Sequence, residues 1–358
     1  MWAFHGAMLS ISDVIPFDLS AISDIVDWLS GDPVDLQTGL LTDSRTDLGV
    51  SGPLGSAEVT RTYWQGDTRS RAFGIGRDLS YNMHLHSKRL YTEVDLYLPG
   101  GKKVHFVRTS PGSGYADAVF EPEGTPTALN GAKISQESGS WHLRLRDGTD
   151  YVFPWYGPLK EIRDRHGNAV RIKRSNGSKG DITSVTAPGG RWVCFSYDSA
   201  QRITKAQDNT GRSTSYTYDD AGRLRTVTDP AGKVSSFTYD GATNRIATAK
   251  DARGIVYMTN TYYADGRVKK QTLTEGQEYS FAYTKTPAGQ ITATEVTQPG
   301  GSVRRVEFNN SGFAVNDTQA YGTTLARKTV YERGTKHRIA AVVDPFGRRT
   351  ELSFDANG

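Results

Sequence analysis

Apolar and polar positions alternate along most of the chain from about residue 55 onward. Trp141-His142-Leu143-Arg144-Leu145-Arg146 alternates, Asp147-Gly148 intervenes, and Thr149-Asp150-Tyr151-Val152-Phe153 resumes. A period of two belongs to a strand with one buried face. An Asp-Gly pair between two such runs predicts a hairpin with a type I′ turn, which needs positive φ at both central residues. Comparable hairpins are predicted at Pro99-Gly100-Gly101 and His166-Gly167-Asn168, while residues 108–140 are richer in Pro, Gly and Ser and read as loops. The start of the chain has another period. Leu19, Ile22, Val26 and Leu29 share a helical face, with Asp24 and Asp27 off it. Pro16 precedes this stretch, Asp18 or Ser20 can cap it, and Gly31 can end it. One short amphipathic helix is predicted there. Its polar side is acidic, which does not suit a membrane surface.

Near residue 190 a longer period appears. Phe195-Ser196-Tyr197-Asp198 returns as Tyr216-Thr217-Tyr218-Asp219 and Phe237-Thr238-Tyr239-Asp240, so Tyr197, Tyr218 and Tyr239 lie 21 residues apart. The register continues through Tyr262, Tyr283, Phe308, Tyr331 and Phe354, with gaps of 21 to 25. Turn signals fall between: Asp208 to Gly211, Asp229-Pro230-Ala231-Gly232, Asp251 to Gly254 and Asp344 to Gly347. A second set follows the tyrosine, as in Ala221-Gly222-Arg223, Asp265-Gly266-Arg267 and Ser311-Gly312-Phe313. Each period therefore holds two turns and two short runs, which is one hairpin per repeat. The aspartate is expected to accept a hydrogen bond from the backbone two residues on, Pro230 to fix φ, and the glycine to supply a positive φ. The tyrosine ring is expected to pack while its phenolic oxygen stays wet. A lone hairpin is marginal in water, so stability should come from neighbouring repeats.

Charge changes this picture in one place. Residues 1–60 hold nine acids and one base, Arg45, for a net −8; the whole chain is +4, which leaves +12 for the remainder. Two readings follow: the acidic segment docks on the basic body, or the two form separate solvated faces. The small total gives no global nucleic-acid footprint. No apolar run is long enough to span a bilayer. Cys194, the only cysteine, allows no intrachain disulfide and reads as a packed small hydrophobe in Trp192-Val193-Cys194-Phe195. Met1 to Ser10 lacks the basic and apolar regions of a signal peptide.

Candidate chemistry is sparse. His84 and His86 share one side of a strand, but no third ligand at suitable spacing lies nearby, so they read as exposed strand histidines. Gly74-Ile75-Gly76 lacks the third glycine of a dinucleotide site. No nucleophile elbow, zinc-protease helix or P-loop pattern occurs. Most carboxylates sit at turns, where their turn role explains them. Arg171-Ile172-Lys173-Arg174 and Lys269-Lys270, with interleaved tyrosines, offer a polyanion or glycan surface, against which stands the favoured reading of solvated charge on outer strand faces, which also discourages edge aggregation. Asn176 and Asn316 begin chance glycosylation sequons if the source is bacterial. No catalytic, cofactor or metal residue is assigned, and the chain is not expected to be an enzyme. The assigned positions are turn and core residues of the repeat: Tyr197, Asp198, Tyr218, Asp219, Gly222, Arg223, Asp229, Pro230, Gly232, Tyr239, Asp240, Asp251, Gly254, Asp344 and Gly347.

Tyr218-Asp219-Asp220-Ala221-Gly222-Arg223 and its relatives resemble the YD repeats of Rhs proteins, insecticidal toxin-complex components and teneurins. Gly31-Asp32-Pro33-Val34-Asp35-Leu36-Gln37-Thr38-Gly39 resembles the opening of the module that precedes the repeats in bacterial Rhs proteins, with Thr60-Arg61-Thr62-Tyr63 and Phe73-Gly74-Ile75-Gly76 as its continuation. The resemblance implies a mainly β fold of antiparallel hairpin repeats in a curved or spiralling sheet, forming part of a hollow shell. In bacterial relatives such a shell encloses a C-terminal toxin delivered to other cells. The expected organisation is an N-terminal segment with a short helix over 1–30, an Rhs-type β module over 31–150 and hairpin repeats over 151–358. The chain stops inside a repeat at Phe354 to Gly358, so it is expected to be a truncated or processed N-terminal portion. Expected partners are the rest of the shell, its toxin cargo and a secretion-machine component, with the protein secreted or at the cell surface. The alternative is a surface module that binds glycan or protein through aromatic sheet faces.

Overall fold

The computed structural model describes residues 33–123, 129, 131–155, 157–177 and 179–353. The helix predicted at Asp18 to Leu29, and Phe354, lie outside the described residues. Just over half of the described residues are strand, joined mostly by tight turns. From His84–His86 to Arg349–Glu351, twenty-five strands pair antiparallel, each with the next in sequence, in one sheet. The sheet curls onto itself near its start, where His84 bridges Pro158. A smaller sheet of Thr42–Gly52, Gly55–Trp64 and Arg77–Leu79 lies apart from this ladder. One continuous hydrophobic core joins the two. The stretch read as loops contains two strands, Val119–Pro122 and Lys133–Glu137. Their inward residues Phe120 and Ile134 pack in the core, and burial of that face overrides the local turn composition.

Two kinds of ladder alternate along the repeats. Within a hairpin, Ser213–Tyr218 pairs with Leu224–Thr228 over four residue pairs. Between hairpins, Ile203–Asp208 pairs with Ser213–Tyr218 over three, from Lys205–Ser215 to Gln207–Ser213. The within-hairpin ladder also shifts register once. Ser196 faces Lys205 but Tyr197 faces Ile203, so Thr204 is an extra residue. The same shift falls at Arg225, Ala247 and Lys269. A bulge bends its strand and increases local twist, so one bulge per hairpin gives the ribbon a repeated bend.

The turns follow one design. At Asp219, the backbone carbonyl accepts from Gly222 N (2.9 Å) and the backbone N–H donates to Arg223 O (2.9 Å). Asp219 Oδ1 accepts from Ala221 N (3.1 Å) and Arg223 N (2.9 Å). The carboxylate thus caps the turn two and four residues on. Asp198, Asp208, Asp229, Asp251 and Asp344 do the same. Gly222 supplies the single left-handed residue, at φ 82°. The Asp147-Gly148 hairpin forms, but not with a type I′ turn. Gly148 alone is left-handed (φ 90°), and Asp147 instead accepts from Thr149 N at 2.8 Å. A carboxylate that caps the turn spares aspartate the left-handed conformation, which is costly for any residue with a Cβ.

Burial would raise the Asp198, Asp208 and Asp344 carboxyls. The turn N–H groups and an arginine four residues on outweigh it and hold all three below the usual carboxylate range. The Lys285 ammonium, with the turn N–H and Arg267, takes Asp265 to about 2. A carboxyl depressed in the folded state contributes stability above its unfolded value of about 3.9, lost as pH falls through the folded value. The urea midpoint should therefore fall most steeply between about pH 4 and pH 2. A midpoint that stays flat to pH 2 contradicts the capping account.

Candidate functional site

The short ladder between hairpins creates the site. Pairing stops at Lys205, so Ile203 keeps an N–H and a C=O pointing away from its own hairpin. Buried backbone groups need partners. Tyr218 supplies one: its hydroxyl donates to Ile203 O at 2.5 Å, reaching back fifteen residues. Tyr197 reaches Ile182 O (2.8 Å), Tyr239 reaches Leu224 O (2.7 Å), Tyr262 reaches Ile246 O (2.6 Å) and Tyr283 reaches Val268 O (2.7 Å). The phenolic oxygen is thus bonded to backbone rather than left wet. Burial pushes all five hydroxyls above their ordinary value, because a phenolate would be poorly solvated there.

The rest of the Tyr-Asp-x-x-Gly-Arg unit holds that ring in place. Asp198 Oδ2 accepts from Arg202 Nε at 2.8 Å, and the Arg202 guanidinium lies 4.4 Å from the ring centre of Tyr218 in the next hairpin. Asp219 orients Arg223 over Tyr239 at 4.6 Å, and Asp240 orients Arg245 over Tyr262 at 5.2 Å. A cation over an aromatic face contributes about 0.5–2 kcal/mol. The motif therefore couples three things: a turn cap, an oriented cation and an anchored phenol one hairpin on. Outer faces carry small hydroxyl pairs, Thr217 with Thr226 and Thr238 with Thr248, both at 2.6 Å.

The module satisfies the N–H of two of these open ends, Ile203 and Val268. Residues 33–79 lie across the inner face of the repeats. Ile203 N donates to Ala72 O (2.7 Å), Ile75 N to Gly222 O (3.2 Å) and Val268 N to Gly39 O (2.8 Å). Tyr63 donates to Asn244 O (2.9 Å), Gln65 to Gly266 O (2.6 Å) and Thr294 to Leu36 O (2.6 Å). Further along, Thr214, Arg212 and Arg191 donate to the carbonyls of Asp47, Gly49 and Ser51. The opening motif serves this contact. Asp35 Oδ1 accepts from Gln37 N and Thr38 N, which folds the turn that presents Gly39. A Cβ on Gly39 would lie 2.8 Å from the Arg267 side chain, and one on Gly74 would lie 2.5 Å from Gly222 O and 3.2 Å from the Tyr218 ring.

Sequence reading passed over two arginines at this seam. Arg61 is buried and paired through two nitrogens with Asp47, which also accepts from Tyr216 at 3.0 Å. Arg77, wholly buried, packs 4.2 Å from the Phe237 ring centre and 5.0 Å from that of Tyr63, with Asp43 at 3.7 Å. Two of the segment's described acids thus pair with their own module. Asp43 meets Arg45 and Arg77, and Asp47 meets Arg61. Among the described residues the docking contacts are backbone and side-chain hydrogen bonds and apolar burial, and Asp13, Asp18, Asp24, Asp27 and Asp32 lie outside them. His84 and His86 sit on an exposed strand against Tyr97. Among the described residues no cluster of three or more His, Cys, Asp or Glu is placed to hold a metal.

The assigned repeat positions fall into this geometry. Tyr197, Tyr218 and Tyr239 are the anchors, and Asp198, Asp219 and Asp240 bind the arginines beyond them, including Arg223. Gly222, Gly232, Gly254 and Gly347 are left-handed turn residues, and Asp229-Pro230, Asp251 and Asp344 begin turns at the opposite end of the hairpins. A family model described as RHS Repeat matches residues 197–232 and 218–256, and a domain of unknown function, DUF6531, matches residues 31–106. The chain is an Rhs-repeat protein. The DUF6531 match takes in the strands that dock on the Rhs repeats. No curated protein matches the chain. Among solved structures, TcdB2-TccC3 is similar at 11% identity over 88% of this chain and 20% of that one, with a TM-score of 0.37. TcdB2-TccC3 without its hypervariable C-terminal region is similar at 9%, over 87% and 22%, with a TM-score of 0.31. The Tc holotoxin pore of Photorhabdus luminescens is similar at 9%, over 87% and 22%, with a TM-score of 0.30. The Rhs-repeat chain spans about a fifth of the length of these structures.

Two glycines separate backbone strain from close approach. A Cβ on Gly232 meets nothing within 4 Å, at φ 77°, so Gly232→Ala should cost only the left-handed penalty, about 1–2 kcal/mol. Gly74→Ala carries the same penalty plus the clash with Gly222 O, and should cost about 1–3 kcal/mol more. Thermal melts compare them directly, and equal melting points would sink the docking geometry.

Proposed function

We propose that this Rhs-repeat chain is a non-catalytic segment of a shell that encloses a toxin cargo and carries it to other cells. One observation carries the reading: a single uninterrupted ladder of hairpins has the preceding module packed across residues 191–312 of it. A wall needs continuous pairing and a dry, closed seam, and both are supported by the contacts at Ile203, Gly222 and Val268. Proposed partners are the remaining shell, its cargo and a component of the export machinery, and the proposed location is outside the producing cell. No described helix is long and apolar enough to cross a membrane. The division into 31–150 and 151–358 is proposed as one of sequence character, since the strands run on across residue 150.

Protease treatment of the protein at its native cellular length tests this. Cargo lying beyond the repeats should survive while the sheet is folded, and be digested once urea opens it. Digestion of cargo with the repeats still intact would contradict enclosure.

A further inference from the structure

The curl at the start of the sheet holds a cavity that the repeat architecture does not use. His84 bridges Pro158, and Leu159 N donates to Met83 O at 2.8 Å. The strands between these points surround a space of about 580 Å³, lined by Leu85, Val94, Phe120, Ile134, Trp141 and Trp155. That size lies within the range of small-molecule sites, about 300–1,000 Å³. Val94, Phe120 and Ile134 are buried and form a rigid apolar floor. Trp141 and Trp155 lie nearly parallel, 5.6 Å apart, with Phe120 edge-on to Trp141 and Tyr115 edge-on to Trp155. So apolar a lining does not suit a sugar, whose hydroxyls would lose water without gaining partners.

The polar groups at the opening favour one sign of charge. Lys179 is exposed at the cavity and makes no ion pair among the described residues. Glu93, the acid in the lining, is held by Arg89. His84 and His86 form a wall shared with a second cavity of about 240 Å³ that Arg69 and Arg71 line. Burial, and then the fields of Arg71, His86, Arg69 and Arg174, keep His84 below its ordinary value. Arg69 and Arg71 are themselves paired with buried Asp67 (3.1 and 2.6 Å), so Lys179 is the cation the cavity offers to an anion.

We propose that this cavity binds a small amphiphilic anion, an aryl or alkyl body carrying one carboxylate. The apolar body lies between the tryptophans and the Phe120–Ile134 floor, and the carboxylate faces Lys179. Leu90, exposed at the mouth, covers the emerging end of the ligand.

Calorimetric titration of the full chain with 2-naphthoate, decanoate and decylamine tests the proposal. At least one carboxylate should bind one-to-one, and decylamine, with the same alkyl body and the opposite charge, at least tenfold more weakly than decanoate if the alkyl acid binds. Tighter naphthoate assigns an aryl ligand; tighter decanoate assigns an alkyl one. Lys179→Glu, at an exposed position that leaves folding intact, should weaken carboxylate binding at least tenfold. Leu85→Trp, which fills the cavity, should abolish it. The proposal is overturned if neither carboxylate saturates, if decanoate binds and decylamine matches it, or if Lys179→Glu leaves affinity unchanged.

Discussion

The structure depends on a hydrogen bond from a tyrosine hydroxyl to a backbone carbonyl in the preceding hairpin. From Ile182 to Tyr283 neighbouring hairpins share only three residue pairs, and beyond them the strands part. Each parting leaves a carbonyl, that of Ile203, Leu224, Ile246 or Val268, with no strand partner on that side. A buried polar group left unsatisfied costs about 1–3 kcal/mol, so a plain hairpin array would pay that at every repeat. Tyrosine has the length to bridge the gap and a ring to fill it. Its spacing of about 21 residues is therefore the spacing of open ends, and the bulge at Thr204 and its counterparts is the other half of the same geometry.

The module and the repeats meet through the same open ends. Where tyrosine satisfies a carbonyl, the module accepts the neighbouring N–H: Ala72 at Ile203 and Gly39 at Val268. The opening motif and the repeat motif are thus two parts of one interface, although more than 150 residues separate them. The wholly buried Arg77, lying between Tyr63 and Phe237, shows how closely the two surfaces pack. Tyr216 of the repeats donates to Asp47 (3.0 Å), the partner of buried Arg61, so opening the seam takes a hydrogen bond from a buried charged pair.

Much of this was legible in the chain. The period, the turn aspartates and the left-handed glycines follow from local chemistry, and local chemistry is what turns obey. The destination of the phenolic oxygen was not legible, because Ile203 O is unpaired only once strands splay in three dimensions. Asp147 misled for a related reason: a side-chain cap replaces a backbone conformation that sequence statistics attach to Asp-Gly. Val119–Pro122 and Lys133–Glu137 were hidden by turn-forming neighbours and are strands because Phe120 and Ile134 are needed in the core. The excess of acids left docking and separate solvated faces both open; of those acids, Asp43 and Asp47 bind arginines that fold beside them. The aromatic cavity draws on residues from His84 to Lys179, and no linear motif marks it.

The most direct measurement is urea unfolding of the single replacements Tyr197→Phe, Tyr218→Phe, Tyr239→Phe, Tyr262→Phe and Tyr283→Phe. Each keeps the ring and removes one anchor. The account predicts a loss of about 1 kcal/mol at every one of the five positions, with no change at a solvent-facing tyrosine such as Tyr321. Stabilities indistinguishable from the parent at all five would show that the hydroxyls do not hold the repeats together.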